Sequence, residues 1–513
     1  MPQDLWRFED DKIVFRRVLM KSDLCILQKY TSRVREIALT SNQKAGLSHG
    51  VYRALAMAYA RRSIVPKLEL LACTIRDPGL WEILPVFLNN GLKTLVLRVY
   101  QLSLEQLSFL VTLPTLSPNI KKLDVRLHPG GGFLLHNMPW AGTLIQWNTI
   151  STLNICYISM EDLLYIATMP FLKALQITHV EFMWESLTMA WSEIQESFAN
   201  LKYQFPLLSS LKLVSFGPSS GITNIVKLLR PGIQVTDLSL CVHGVRETAE
   251  NMEDSFRHWQ ELQDLVSAVN KHLDHSSLRS FSMEKVSFSP LATPFSIFSS
   301  LLKFSALKQV KLYIAPPIAV TLEEAEKVPS SWPQIEFLAL SRENEFGPAL
   351  TPLDVLLPLA RGCPHLHTLI LSMNTADENV LQKFTRHPEL FNNIRNYALK
   401  RLQVASSPIR DQEFVALVLS EIYPSARIYC RHKIAAQQRM WEYVGNVLMP
   451  LICGVRKRQC EFLRVEDPAA GRFSEGMDRV NERDDEDHLN FGDDSAYIKL
   501  LEGPQPLTFE GEE

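Results

Sequence analysis

"CPHLHTLILSMNTADENVLQKF", residues 363–384, is the stretch whose reading decides the fold. Leu366, Leu369 and Leu371 follow the spacing L-x-x-L-x-L, with Asn374 three residues further on. A polar turn comes next, and an apolar-periodic run begins at Val380. Side chains alternate along an extended strand, so its leucines point one way and the residues between them the other. So short a strand cannot bury its own leucines. It needs neighbours built like itself.

The spacing recurs along the chain. It opens with Val34-Ile37-Leu39, Leu68-Leu71-Cys73, Leu92-Leu95-Leu97, Ile120-Leu123-Val125, Ile150-Leu153-Ile155 and Leu172-Leu175-Ile177. It continues with Leu208-Leu211-Leu213, Val235-Leu238-Leu240, Leu278-Phe281-Met283 and Leu307-Val310-Leu312. Ile335-Leu338-Leu340, Leu366-Leu369-Leu371 and Leu399-Leu402-Val404 complete thirteen clear instances, and "ARIYC" (426–430) reads as a degraded fourteenth. Successive starts lie 22 to 36 residues apart, except for 43 between Val235 and Leu278. One such hexapeptide means little. Thirteen at quasi-regular spacing are the mark of a repeat solenoid, in which each unit buries its apolar face against the next.

Proline supplies an independent signal. Pro66, Pro118, Pro170, Pro206, Pro333, Pro364 and Pro424 each stand two residues before the first apolar position of a repeat. Proline there ends a helix and feeds an extended strand. Between strands the text turns helical at 103–114, 159–170, 351–364 and 410–424, the first with Ser103 as N-cap and Gln106 completing a capping box. The long gap, 243–277, reads as an amphipathic helix with Phe256, Leu262, Leu265, Val266, Val269 and Leu273 on its apolar face. Asparagine fills the turn position only at Asn42 and Asn374, so the turns are expected to be irregular. The expected fold is α/β: a leucine-rich-repeat solenoid, or horseshoe, of thirteen to fourteen irregular repeats.

Four segments follow. Residues 1–32 read as an N-terminal cap, 33–432 as the solenoid, 433–463 as a helical C-terminal cap and 464–513 as a disordered acidic tail. Net charge is only −3, which points to neither nucleic acid nor membrane. That balance hides an asymmetry: residues 461–513 carry 16 acids against 5 bases, and the rest 48 bases against 40 acids. Eight cysteines stand singly, with no CxxC, as expected for buried reduced thiols in the cytoplasm or nucleus. The first residues lack the apolar core of a signal peptide, and "VLMPLICGV" (447–455) is too short and proline-broken to span a bilayer.

No catalytic constellation is legible. "HPGGGF" (128–133) lacks the lysine and spacing of a phosphate loop, and reads as an inter-repeat loop. His365 and His367 have no nearby cysteine or carboxylate to complete a zinc set. The acids at 484–487 lack a calcium-loop register, and the bases of "GVRKRQC" (454–460) read as a solvated helix end. The sequence therefore predicts no enzyme, no cofactor and no metal.

The segment "DKIVFRRVLMKSDLCILQKYTSRVREIAL" (11–39) carries a resemblance. Its "FRR", its Ser22-Asp23, and its tyrosine before Arg33-Val34-Arg35 resemble the passage from F-box into repeats in the fungal F-box-like leucine-rich-repeat proteins. The irregular repeat lengths match too, over roughly residues 5–460. The resemblance implies a substrate receptor of a cullin-type ubiquitin ligase, with an F-box that holds a Skp-type adaptor and repeats that hold the target. No F-box is legible ahead of this segment. The other reading is a leucine-rich-repeat regulator or inhibitor of a partner enzyme, independent of any ligase.

What the repeats offer a partner is their outward side. The residues between inward leucines include Arg98, Lys122, Asp124, Arg126, Gln176, Lys212, Asp237, Gln309, Lys311, Tyr313, Phe337, Arg401 and Gln403. They form a mixed polar face with basic clusters at 98–126 and 309–311. A protein target on this concave face is the expected partner.

Overall fold

The structure is a computed structural model. It describes residues 4–9, 12–40, 46–59, 63–76, 79–100, 104–127, 143–144, 146–156, 158–180, 191–201, 203–248, 252–288, 292–315, 317–342, 349–377, 382–384, 386–387, 394–405, 407–431 and 434–466. Ser103, the glycine run at 128–133 and the acidic stretch from 467 onward lie outside the described residues. The chain divides into two units, Met1–Cys453 and Gly454–Glu513. The described part of the second is the C-terminal portion of the helix Met449–Glu466.

The first unit is α/β. Among the described residues, fourteen parallel strands form one sheet and follow one another in chain order. They are Glu36–Thr40, Leu70–Ile75, Thr94–Val99, Lys122–Leu127, Thr152–Cys156, Ala174–Thr178, Ser210–Ser215, Asp237–Thr248, Ser280–Phe288, Gln309–Ala315, Phe337–Ala339, Thr368–Ile370, Arg401–Gln403 and Arg427–Tyr429. A strand begins within every L-x-x-L-x-L stretch, and "ARIYC" supplies the last.

A backbone relay joins each strand to the next. Arg35 O accepts from Glu69 N at 2.7 Å and from Leu70 N at 3.1 Å. Glu69 O accepts from Lys93 N and Thr94 N in the same way. The paired bonds repeat at Lys93, Lys121, Ser151, Lys173, Ser209, Thr236, Arg279, Lys308, Glu336 and His367. Strand entrances are thus satisfied whatever side chains they carry.

The register lines the motif up. Leu71, Leu95, Leu123, Leu153, Leu175, Leu211, Leu238, Phe281, Val310, Leu338, Leu369 and Leu402 stand opposite one another in one column. All are buried. A slip of one residue would turn this column to solvent, so its burial fixes the register. Helices close the other side of the core with Leu163 and Ile166, Ile222 and Val226, Leu265 and Val269, and Val415 and Leu419. Their starts are capped: Ser159 pairs with Asp162 and Thr321 with Glu324 in capping boxes, and Asp411 accepts from Phe414 N.

The long gap differs from expectation in two ways. The helix is Met252–His272, and residues 243–248 belong to the preceding strand. They pair with Ser280–Phe288, His243 opposite Val286 and Thr248 opposite Phe288, across a bulge. A ready strand partner thus overrides the helical pattern at that end. Phe256, expected on the apolar face, is exposed and packs edge-on against Trp259.

At the N-terminus, Trp6–Glu9 and Lys12–Phe15 form an antiparallel pair, followed by the helix Lys21–Thr31. Arg17 holds the buried Asp23 through two bonds, Nη1–Oδ2 at 2.6 Å and Nη2–Oδ1 at 3.1 Å. Asp23 also accepts from Met20 N at 2.9 Å, so the ion pair fixes the helix start. The "FRR" and "SD" elements are the two halves of this bridge. Beyond the last strand, Trp441 is fully buried and donates Nε1–H to Ser407 O at 2.8 Å. Gly445 lies so close to Ile428 that a Cβ on it would stand 3.1 Å from the Ile428 Cβ. Among the described residues no helix is long and apolar enough to cross a membrane.

Candidate functional site

All thirteen outward residues picked from the sequence alternate with the buried columns and fall into three parallel rows. Lys122, Asp237, Gln309, Phe337 and Arg401 belong to the first. Asp124, Gln176, Lys212, Lys311 and Gln403 belong to the second. Arg98, Arg126 and Tyr313 belong to the third. The parallel register brings Arg98 directly opposite Arg126, Gln176 opposite Lys212, and Lys311 opposite Ala339.

Burial divides the set. Arg98, Lys122, Asp237 and Gln309 are exposed, whereas Asp124 and Gln403 are buried. The basic cluster at 98–126 is smaller than the sequence suggests. Arg126 forms a two-bond ion pair with Asp124 on its own strand, at 3.0 and 3.1 Å. The pair is self-neutralising, which leaves Arg98 and Lys122 as the exposed cations there. Beside it, Asn154 is buried and its Oδ1 has no hydrogen-bond partner.

The cations further along are held against aromatic rings. Lys311 Nζ lies 5.0 Å from the Phe337 ring centre, and Arg401 lies 4.8 Å from that of Tyr429. Desolvation pushes the Lys311 ammonium down from its ordinary pKa. Arg401 also donates to Gln403 at 3.1 Å. These are pre-ordered side chains, which lose less entropy on binding than free ones.

A second grouping lies where the eighth and ninth strands run on past the leucine motif. Cys241 and His243 share a face of Asp237–Thr248, and Cys241 stands opposite Glu284 on Ser280–Phe288. Cys241 Sγ is 3.1 Å from His243 Nε2 and 3.5 Å from Glu284 Oε2. Arg342 binds the other carboxylate oxygen, Oε1, at 2.6 Å. The His243 ring leans on Phe216, which stacks on His179 at 4.4 Å between ring centres.

No protein-family model matches the chain, and no curated protein matches it. Solved structures similar to it include the complex of Rad7 and Elc1 from yeast. That match has 13% identity and a TM-score of 0.32, and covers 81% of this chain and 92% of that one. The plant peptide hormone receptor RGFR1 in complex with RGF2 matches at 11% identity and a TM-score of 0.28. It covers 78% of this chain and 63% of the receptor. At these identities and TM-scores neither likeness bears on what the chain binds or does.

The Cys241 grouping escapes sequence reasoning, which sees only a lone buried cysteine there. Cys-x-His on a strand is a usable signal, since both side chains must share a face. Its third member lies 43 residues away, and only the pairing of adjacent strands brings it back. Among the described residues His365 and His367 join no such three-residue grouping: both are exposed, with the Glu336 carboxylate near them, and His367 Nδ1 bonds Thr368 Oγ1 at 3.0 Å.

Proposed function

We propose that the chain is a non-catalytic leucine-rich-repeat scaffold that binds a protein target on the outward face of its sheet. One observation carries the reading: residues with nothing in common but their place between buried leucines occupy three parallel rows on one face of the sheet. That surface mixes exposed cations and aromatic-braced cations, a composition suited to a polypeptide partner. On this reading the outward face is the concave side of a horseshoe. Residues 1–32 and 433–463 cap its ends, 33–432 are the repeats, and 464–513 form an acidic tail. The resemblance of residues 11–39 to F-box-like proteins makes substrate receptor of a cullin-type ubiquitin ligase the leading form of this role. A ligase-independent regulator of a partner enzyme is the alternative. None of the seven described cysteines is in a disulfide, which suits a reducing compartment such as cytoplasm or nucleus.

The test is capture of the full-length chain from its own cells, with mass spectrometry of what it retains. A Skp-type adaptor and a cullin together with a target support the receptor reading. An enzyme recovered without ligase subunits supports the regulator. Intrinsic turnover by the purified protein would overturn both.

A further inference from the structure

We propose that Cys241, His243 and Glu284 form a zinc site, independently of any protein target. Strand alternation puts the thiol and the imidazole on one face, and the parallel register adds the carboxylate from the next strand. One ligand atom from each residue lies within 4.8 Å of the others. With bonds of about 2.3 Å to sulfur and about 2.0–2.2 Å to nitrogen and oxygen, a tetrahedral zinc holds its ligand atoms roughly 3.3–3.6 Å apart. The separations of 3.1 Å (sulfur to nitrogen) and 3.5 Å (sulfur to oxygen) are already near that figure. Zinc would replace two hydrogen bonds with three metal bonds, with the imidazole nitrogen and the carboxylate oxygen, within 4.8 Å of each other, drawn to its coordination distance.

The donor set selects the ion. Thiolate and imidazole favour zinc over magnesium or calcium, which prefer all-oxygen shells. Thiolate and carboxylate together offset the two positive charges of the metal. Arg342 secures Glu284 Oε1 and so leaves Oε2 facing the sulfur, which is how an outer residue orients a ligating carboxylate. Phe216 fixes the plane of His243 in the same sense. Three protein ligands leave a fourth position for water or another donor.

The experiment uses the full-length protein, treated with chelator and titrated with Co²⁺, then Zn²⁺. Wild type is expected to bind one equivalent of Co²⁺ with tetrahedral ligand-field bands and a thiolate-to-cobalt charge-transfer band, and zinc should bleach both. Cys241→Ser should abolish the charge-transfer band, and Glu284→Gln should weaken binding at least tenfold. Cys25→Ser, at an exposed site, should change nothing. Zinc should raise the unfolding midpoint of wild type and not of Cys241→Ser, whose metal-free midpoint should match that of metal-free wild type. Absence of the charge-transfer band in wild type, or its survival in Cys241→Ser, would overturn the site.

Discussion

In the strand Ser210–Ser215, Leu211 and Leu213 continue two buried columns, while Lys212 between them has Gln176 on one side and Ser239 on the other. The inward face repeats one kind of residue through the sheet. The outward face varies along the sheet, from the Arg98–Arg126 pair to Gln176 beside Lys212. Burial explains the difference: an inward substitution leaves a cavity that the stacked neighbours cannot close, whereas an outward one meets water or a partner. The same backbone relay serves both faces, because it uses no side chains. Fold and recognition can therefore vary separately in one short strand.

The contrast can be broken by testing single positions, beginning with the largest effect. Leu369→Ala, in the buried column, should cost about 2–5 kcal/mol of unfolding free energy, while Gln309→Ala on the outward face should stay within about 0.5 kcal/mol. Similar values from chemical denaturation would refute the register. Gly362→Ala tests the close packing of the helix Leu356–Gly362 on the helix Leu322–Ser331. A Cβ there would collide with the Pro329 Cβ and stand 2.7 Å from its Cγ, atoms of a rigid ring. The expected loss is about 1–3 kcal/mol, and an unchanged midpoint would mean that the two helices stand further apart.

A smaller, pH-dependent effect tests the N-terminal bridge. The Arg17 guanidinium, helped by the Met20 N–H, holds the Asp23 carboxyl below the usual carboxylate range. A depressed carboxylate stabilises the fold above its unfolded value of about 3.9, and that contribution fades as pH falls through the folded value. The stability gap between wild type and Asp23→Asn should therefore be full at neutral pH and narrow below about pH 4. A gap that stays constant into acid would remove the carboxylate from the account.

The inward columns were legible because leucine spacing and strand alternation are local rules. Choosing the outward residues needed only the same alternation, and all thirteen lie on the one face. Their chemistry was less legible. Arg126 reads as a free cation until Asp124 is seen to be buried beneath it. Residues 243–248 read as helix until a partner strand extends them. Glu284 joins Cys241 only through pairing across a gap of variable length. The last two misses concern contacts between repeats, where irregular repeat lengths hide which residues face each other, whereas the Arg126–Asp124 pair lies within one strand and depends on burial.

The central claim is that the partner binds the outward face of the sheet and not the helices. The direct measurement is quantitative capture with two charge-reversed variants of the full-length chain. One carries Arg98→Glu and Lys122→Glu on exposed outward positions of the sheet. The other carries Lys227→Glu and Lys271→Glu on exposed helical positions. Arg126 is left intact, since reversing it would strand the buried Asp124. Partners retained by wild type should be lost from the first variant and kept by the second. Loss from the second alone, or equal retention by both, would contradict the account.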